Sequence, residues 1–139
     1  MSRKVAFLAL TLAATATLAQ PNANDAASVD WSNAQAIEIT MTNYNFAPNM
    51  LQLRRNTPYR LHLVNNGSSG HSFASKELFA AAMVAPADRA KIKDGEVDVP
   101  KGTSVDVLVL PLTAGSFAFR CTHFLHAGFG MRGQATVGE

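Results

Sequence analysis

RCTHFLHAGFGM, residues 120–131, holds the only cysteine of a 139-residue chain, followed within ten positions by two histidines and a methionine. The residues that lead into it, SFAFRCT, alternate. Phe117, Phe119 and Cys121 fall on one face, and Ala118, Arg120 and Thr122 fall on the other. That is the period-two signature of a half-buried strand, and it turns Cys121 inward at the strand's last residues. The loop beyond contains two glycines, which allow a tight turn, and offers His126 at C-x4-H and Met131 at H-x4-M.

Thiolate, imidazole and thioether are soft or borderline donors that suit copper, and a trigonal set of two histidines and one cysteine with a weak axial methionine is the blue-copper geometry. That geometry requires one more histidine. NNGSSGHSF supplies His71, fifty residues upstream and just after a strand, so both ligand segments can lie at one end of a sandwich. Read from the residues alone, other readings stand beside this one. Free cysteine is among the most buried residue types, so Cys121 also fits a plain core position. Met131 also fits core packing. His123 competes with His126, although a residue two after Cys121 stays on the strand's course and cannot readily come round to a metal.

Outward from this stretch the chain reads as short strands and turns. AIEITM sets Ile37, Ile39 and Met41 against Glu38 and Thr40, MLQLR puts Leu51 and Leu53 on one face, and YRLHLVNN pairs Leu61 with Leu63. His62 and Arg60 then point to the polar side, where His62 is expected to be solvated. VDVP, SVDVLVLP and RGQATVG read as further strands, with turns at Pro48-Asn49, at Asn56-Thr57-Pro58 and through NNGSSG. KELFAAAMVAPADRA has no alternation, and its alanines predict a short helix to about Val84, stopped near Pro86. Strands at this spacing with one helical insertion suggest an all-β, antiparallel two-sheet sandwich.

The N-terminal end differs in kind. Arg3 and Lys4 precede VAFLALTLAATATLA, an apolar run too short to span a bilayer comfortably, with small residues at Thr17 and Ala19. This reads as a signal peptide over residues 1–19, which implies export to the periplasm. Residues 20–34, rich in Asn, Ala, Ser and Asp, read as a flexible leader, and the folded domain spans 35–139. Cleavage removes two basic side chains, so twelve become ten against ten acidic ones. A neutral mature chain offers nothing to nucleic acid, and no stable membrane insertion is expected after cleavage. A single cysteine makes no disulfide within the chain, and an exported free thiol needs protection, from metal or from burial.

His71 in GHSF followed by CTHFLHAGFGM resembles the cupredoxin family of small copper sandwiches, over about residues 35 to 138. The likeness is greatest to the bacterial periplasmic plastocyanin- and azurin-like group often called cupredoxin-like, or EfeO-type, domains. The resemblance implies a Greek-key β-sandwich with a short helical insertion between the first histidine ligand and the later strands. It implies one copper ion per chain, cycling between Cu(I) and Cu(II), with His71, Cys121, His126 and Met131 as metal ligands. It also implies that Ser72 and Thr122, which follow the first histidine and the cysteine, link the two ligand loops. A binuclear centre of the CuA type needs a second cysteine, and Leu125 stands at that position.

The expected function is single-electron carriage between periplasmic redox proteins, by a protein that is not an enzyme and is expected to be a monomer. The alternative is a copper-tolerance protein that sequesters copper or hands it to copper-handling partners. A multicopper oxidase would need further histidine pairs, and here Arg120 and Thr122 flank the cysteine. A cysteine hydrolase is disfavoured by a thiol that lies in a strand beyond two phenylalanines with no acid nearby. The family's docking patch around the second histidine would fall on Ala127, Gly128 and Phe129, with the Phe79–Met83 segment beside them.

Overall fold

The computed structural model describes residues 26–139; the signal-peptide reading of 1–19 and the first part of the leader lie outside the described residues. A 3-10 turn at Trp31–Asn33 precedes the sandwich, with Trp31 Nε1 donating to Ala26 O at 3.1 Å. The strands are β1 (Gln35–Thr42), β2 (Asn45–Ala47), β3 (Met50–Arg54), β4 (Tyr59–Asn65), β5 (His71–Ala74), β6 (Ala82–Val84), β7 (Glu96–Val99), β8 (Ser104–Pro111), β9 (Gly115–Arg120) and β10 (Arg132–Gly138). A short helix, α1 (Lys76–Ala80), follows β5, and a 3-10 segment, Pro86–Lys91, follows β6. One sheet runs β2-β1-β4-β8-β6 and the other β3-β10-β9-β5-β7.

Alternation along the strands assigns the core. Ile39 and Met41, Leu51 and Leu53, Leu61 and Leu63, Val107 and Val109, and Ala135 and Val137 are all buried, each pair two residues apart on one inward face. Sealing them between two sheets removes apolar surface from water at about 25 cal/mol per Å2, the main force holding the layers together.

Three features depart from the expectation drawn from the sequence. The pairing is not purely antiparallel: β1 runs parallel to β4, and β3 runs parallel to β10. Alternation fixes which side of a strand is apolar but carries no information on strand direction, which the crossings between sheets decide. The helix also stops at Ala80, and Ala82–Val84 pairs antiparallel with β8, Met83 opposite Leu110. Met83 is buried in that strand, so the tertiary context outweighs the helix preference of the alanines. His62 is not simply solvated either. Its Nδ1 lies 2.6 Å from Asp106 Oδ1, on the strand paired with β4.

Candidate metal centre

The sheet makes neighbours of two segments fifty residues apart. β5 begins at His71, β9 ends at Arg120, and the two pair antiparallel with Ala74 opposite Arg120. Alternation puts His71 with Phe73 on one inward face, and Phe119 with Cys121 on the other strand's inward face. Phe73 and Phe119 stack with centroids 4.7 Å apart, and Phe46 meets both edge-on. Each ligand strand is therefore anchored by a packed ring two residues from its ligand.

The donor atoms converge. His71 Nδ1 and His126 Nδ1 are 3.1 Å apart, Cys121 Sγ lies 3.4 Å from His126 Nδ1, and Cys121 Sγ lies 3.9 Å from His71 Nδ1. A circle through three atoms with those separations has a radius of about 2.0 Å, close to the roughly 2.0–2.3 Å at which imidazole nitrogen and thiolate sulfur bind divalent first-row metals. Where both Nδ1 atoms present lone pairs, they and the sulfur gain nothing from one another. A cation at the shared point satisfies all three. Cys121 is fully buried, and His71 is almost so. Burial holds the His71 imidazole below its ordinary pKa, with the facing His126 and His123 adding to the effect, and this keeps it in the neutral form that ligates. Its Nε2 has no hydrogen-bond partner among the described residues. The sequence resemblance linked Ser72 to Thr122, and the two hydroxyls do meet, at 3.1 Å. The Ser72 amide points at Cys121 Sγ from 3.4 Å.

The loop from Cys121 to Met131 is closed on itself. Cys121 N donates to Met131 O at 3.1 Å, and Met131 N donates to His126 O at 3.0 Å, which folds the second histidine back over the cysteine. Met131 is fully buried. The reversal is taken by Leu125, in the left-handed region at φ 63°, and by Gly130 at φ 98°; Gly128 has no such role. His123 stays outside the donor triangle. Its side chain is 38% exposed, its Nε2 lies 3.6 Å from Asp98 Oδ1, and its ring stacks on His126 at 5.7 Å.

Two neighbours of the centre were not foreseen from the sequence. Tyr44, on the turn after β1, sets its ring edge-on to His126 at 5.3 Å. Gly67, in the loop before β5, lies against the His71 ring so closely that a Cβ there would sit 2.4 Å from Nε2. Neither carries a local signal, because each acts through a residue distant in sequence or through the absence of a side chain.

A two-sheet sandwich that brings two imidazoles and one thiol from two strand ends and a loop onto one point defines the class of small β-sandwich copper proteins. Residues 8–137 match the family described as a cupredoxin-like domain, and the chain belongs to that family. Its cofactor is one copper ion. Among solved structures, the chain is similar to reduced auracyanin from the photosynthetic bacterium Roseiflexus castenholzii, at 20% identity and a TM-score of 0.58, covering 76% of this chain and 98% of that one. It is also similar to auracyanin B, at 23% identity and TM-score 0.59, over 77% and 91% of the two chains. A multicopper oxidase from Campylobacter jejuni shares the fold at 12% identity and TM-score 0.55, over 76% of this chain but only 30% of that one. No match was found among curated protein sequences.

The two loop histidines can be told apart. His126→Ala is expected to weaken copper binding by well over tenfold, because it removes one corner of the donor triangle. His123→Ala is expected to keep one copper per chain with nearly the parent affinity. Competition against a chelator reads both, and the reverse order would reassign the ligand.

Proposed function

We propose that this protein is an exported type 1 copper protein that carries single electrons between periplasmic redox partners, with Met131 as the weak axial donor beside His71, Cys121 and His126. Copper held here supplies the one-electron change between Cu(I) and Cu(II). The chain's own contribution is rigidity. The donors sit at strand ends and on a loop pinned by its own backbone bonds, so little rearrangement accompanies a change of charge. Met131 is buried and backbone-bonded to both Cys121 and His126, which supports the axial assignment. Among the described residues no helix is long and apolar enough to cross a membrane.

The observation that carries the reading is the surface over His126. Phe124, Phe129, Leu125 and Tyr44 are among the exposed large hydrophobic residues, at 86%, 63%, 55% and 45%. Tyr44 touches both His126 and Phe129, with ring centroids 5.3 and 5.0 Å away. Exposed apolar groups gathered around one partly buried ligand suit brief, close docking that needs no paired charges. In the Phe79–Met83 segment, expected beside the patch, the two large side chains Phe79 and Met83 are buried, whereas Tyr44, Phe124 and Leu125 are exposed.

Phe129→Glu should slow electron exchange with a redox partner tenfold or more, equal to about 1.4 kcal/mol in the encounter, while copper affinity stays unchanged. Electron self-exchange and copper off-rate measured on one sample test the function itself. Fast self-exchange with slow copper loss is expected. Slow self-exchange with ready transfer of copper to a chelator would replace this reading with copper buffering.

A further inference from the structure

Cys121 is joined to a carboxylate on the outer face of the sheet through two hydroxyls, and hydrogen accounting along that line has a consequence for the sulfur. Ser72 Oγ accepts from Thr122 N at 3.0 Å. Its own single proton has two acceptors within reach, Thr122 Oγ1 at 3.1 Å and Cys121 Sγ at 3.8 Å. Thr122 Oγ1 in turn donates to the carboxylate of Glu96. An ionised carboxylate only accepts, so Thr122 spends its proton on Glu96 and can only accept from Ser72. The Ser72 proton is thereby drawn toward Thr122 and away from the sulfur. Without Glu96, the Thr122 hydroxyl is free to rotate and donate to Ser72 Oγ, and the Ser72 proton is released to Cys121.

Glu96 is held firmly enough to act this way. Asp94 and Gly95, at φ 52° and 79°, form a two-residue hairpin turn with left-handed backbone at both positions. Lys93 and Glu96 exchange both backbone bonds across it, at 2.9 and 3.0 Å. The strand that follows places Glu96 opposite Ala74 on β5, two residues from Ser72.

We propose that Glu96 is a positioning residue that sets how much hydrogen bonding the Cys121 sulfur receives, through Thr122 and Ser72, and so tunes the copper centre; this rests on the type 1 copper reading above. Hydrogen bonds to the cysteine sulfur are a recognised control on the potential of such centres, because a proton on the sulfur withdraws the electron density that favours Cu(II).

The test compares Glu96→Leu, which removes the acceptor, with Glu96→Gln, which removes the charge but keeps an amide oxygen for Thr122. In the copper-loaded protein, Glu96→Leu should shift the one-electron reduction equilibrium toward Cu(I) by about threefold, the size of one modest hydrogen bond. It should also move the thiolate-to-copper band to higher energy. Glu96→Gln should stay near the parent on both readouts. Thr122→Ala should reproduce Glu96→Leu, and the double variant should go no further. Equal shifts for Leu and Gln would mean charge alone acts, and no shift, or additive shifts in the double variant, would overturn the relay. The metal-free protein gives an independent reading. The amide proton of Thr122, bonded to Ser72 Oγ, should change its NMR shift in Glu96→Leu and not in Glu96→Gln, and insensitivity to Glu96→Leu would overturn the relay. A parent protein with no thiolate-to-copper band would instead overturn the type 1 reading.

Discussion

Cys121→Ser should abolish the intense visible band of the Cu(II) form and leave a colourless protein with the same fold. The band requires electron density on a sulfur bound to Cu(II), and this is the only thiol in the chain. Serine matches the shape of cysteine but holds its proton too tightly to become an anionic donor near neutral pH. The rest of the pocket tolerates the exchange, since the Ser72 amide that points at Sγ can donate equally well to a hydroxyl oxygen. Far-UV circular dichroism should therefore be unchanged. Absorption and EPR spectra of the loaded variant provide the check, and a variant that stays coloured would refute Cys121 as a ligand.

Gly67→Ala should weaken copper binding by about 10- to 100-fold without touching a ligand, the range typical of residues that orient metal-binding histidines. The Cβ would sit 2.4 Å from His71 Nε2 and 2.8 Å from Cδ2, distances at which something must move. The His71 ring has little room to yield, being almost fully buried with the His126 ring 4.8 Å away. The loop has little room either: Gly67 N donates to Asn65 Oδ1 at 2.8 Å, and Ser68 N donates to Asn43 Oδ1 at 2.9 Å. His71 Nε2 has no partner among the described residues, so no hydrogen bond fixes this ring's orientation from that side. The steric wall at Gly67 does so instead. Gly70→Ala is the control. Its Cβ would meet only the His123 ring, at 3.2 Å, and His123 is exposed enough to swing aside. A chelator titration should show a large loss for Gly67→Ala and almost none for Gly70→Ala. Equal affinities would remove Gly67 from the centre.

Much of the centre is written locally. The alternation of Phe117, Phe119 and Cys121 places the thiol inward whatever the rest of the chain does, because a strand's side chains alternate by geometry. The same holds for the buried pairs of β1, β3 and β4. The chemistry of the ligands is also local, since thiol, imidazole and thioether donors select a soft metal wherever they meet. Residue spacing further showed that one loop could carry several of them.

What the spacing could not settle was where those donors meet. The parallel pairings of β1 with β4 and β3 with β10 depend on how the chain crosses between sheets. The strand character of Ala82–Val84 depends on a free edge of β8. A donor triangle about 2.0 Å in radius exists only because β5 and β9 are neighbours and because Met131 bonds back to both Cys121 and His126. Tyr44, Gly67 and Glu96 reach the centre across gaps of 82, 4 and 26 residues, measured to His126, His71 and Thr122. Local periodicity decides which way a side chain faces, and this sequence determined that for its thiol and its core. Register between distant strands decides what the side chain faces, and only the assembled sheets supply it.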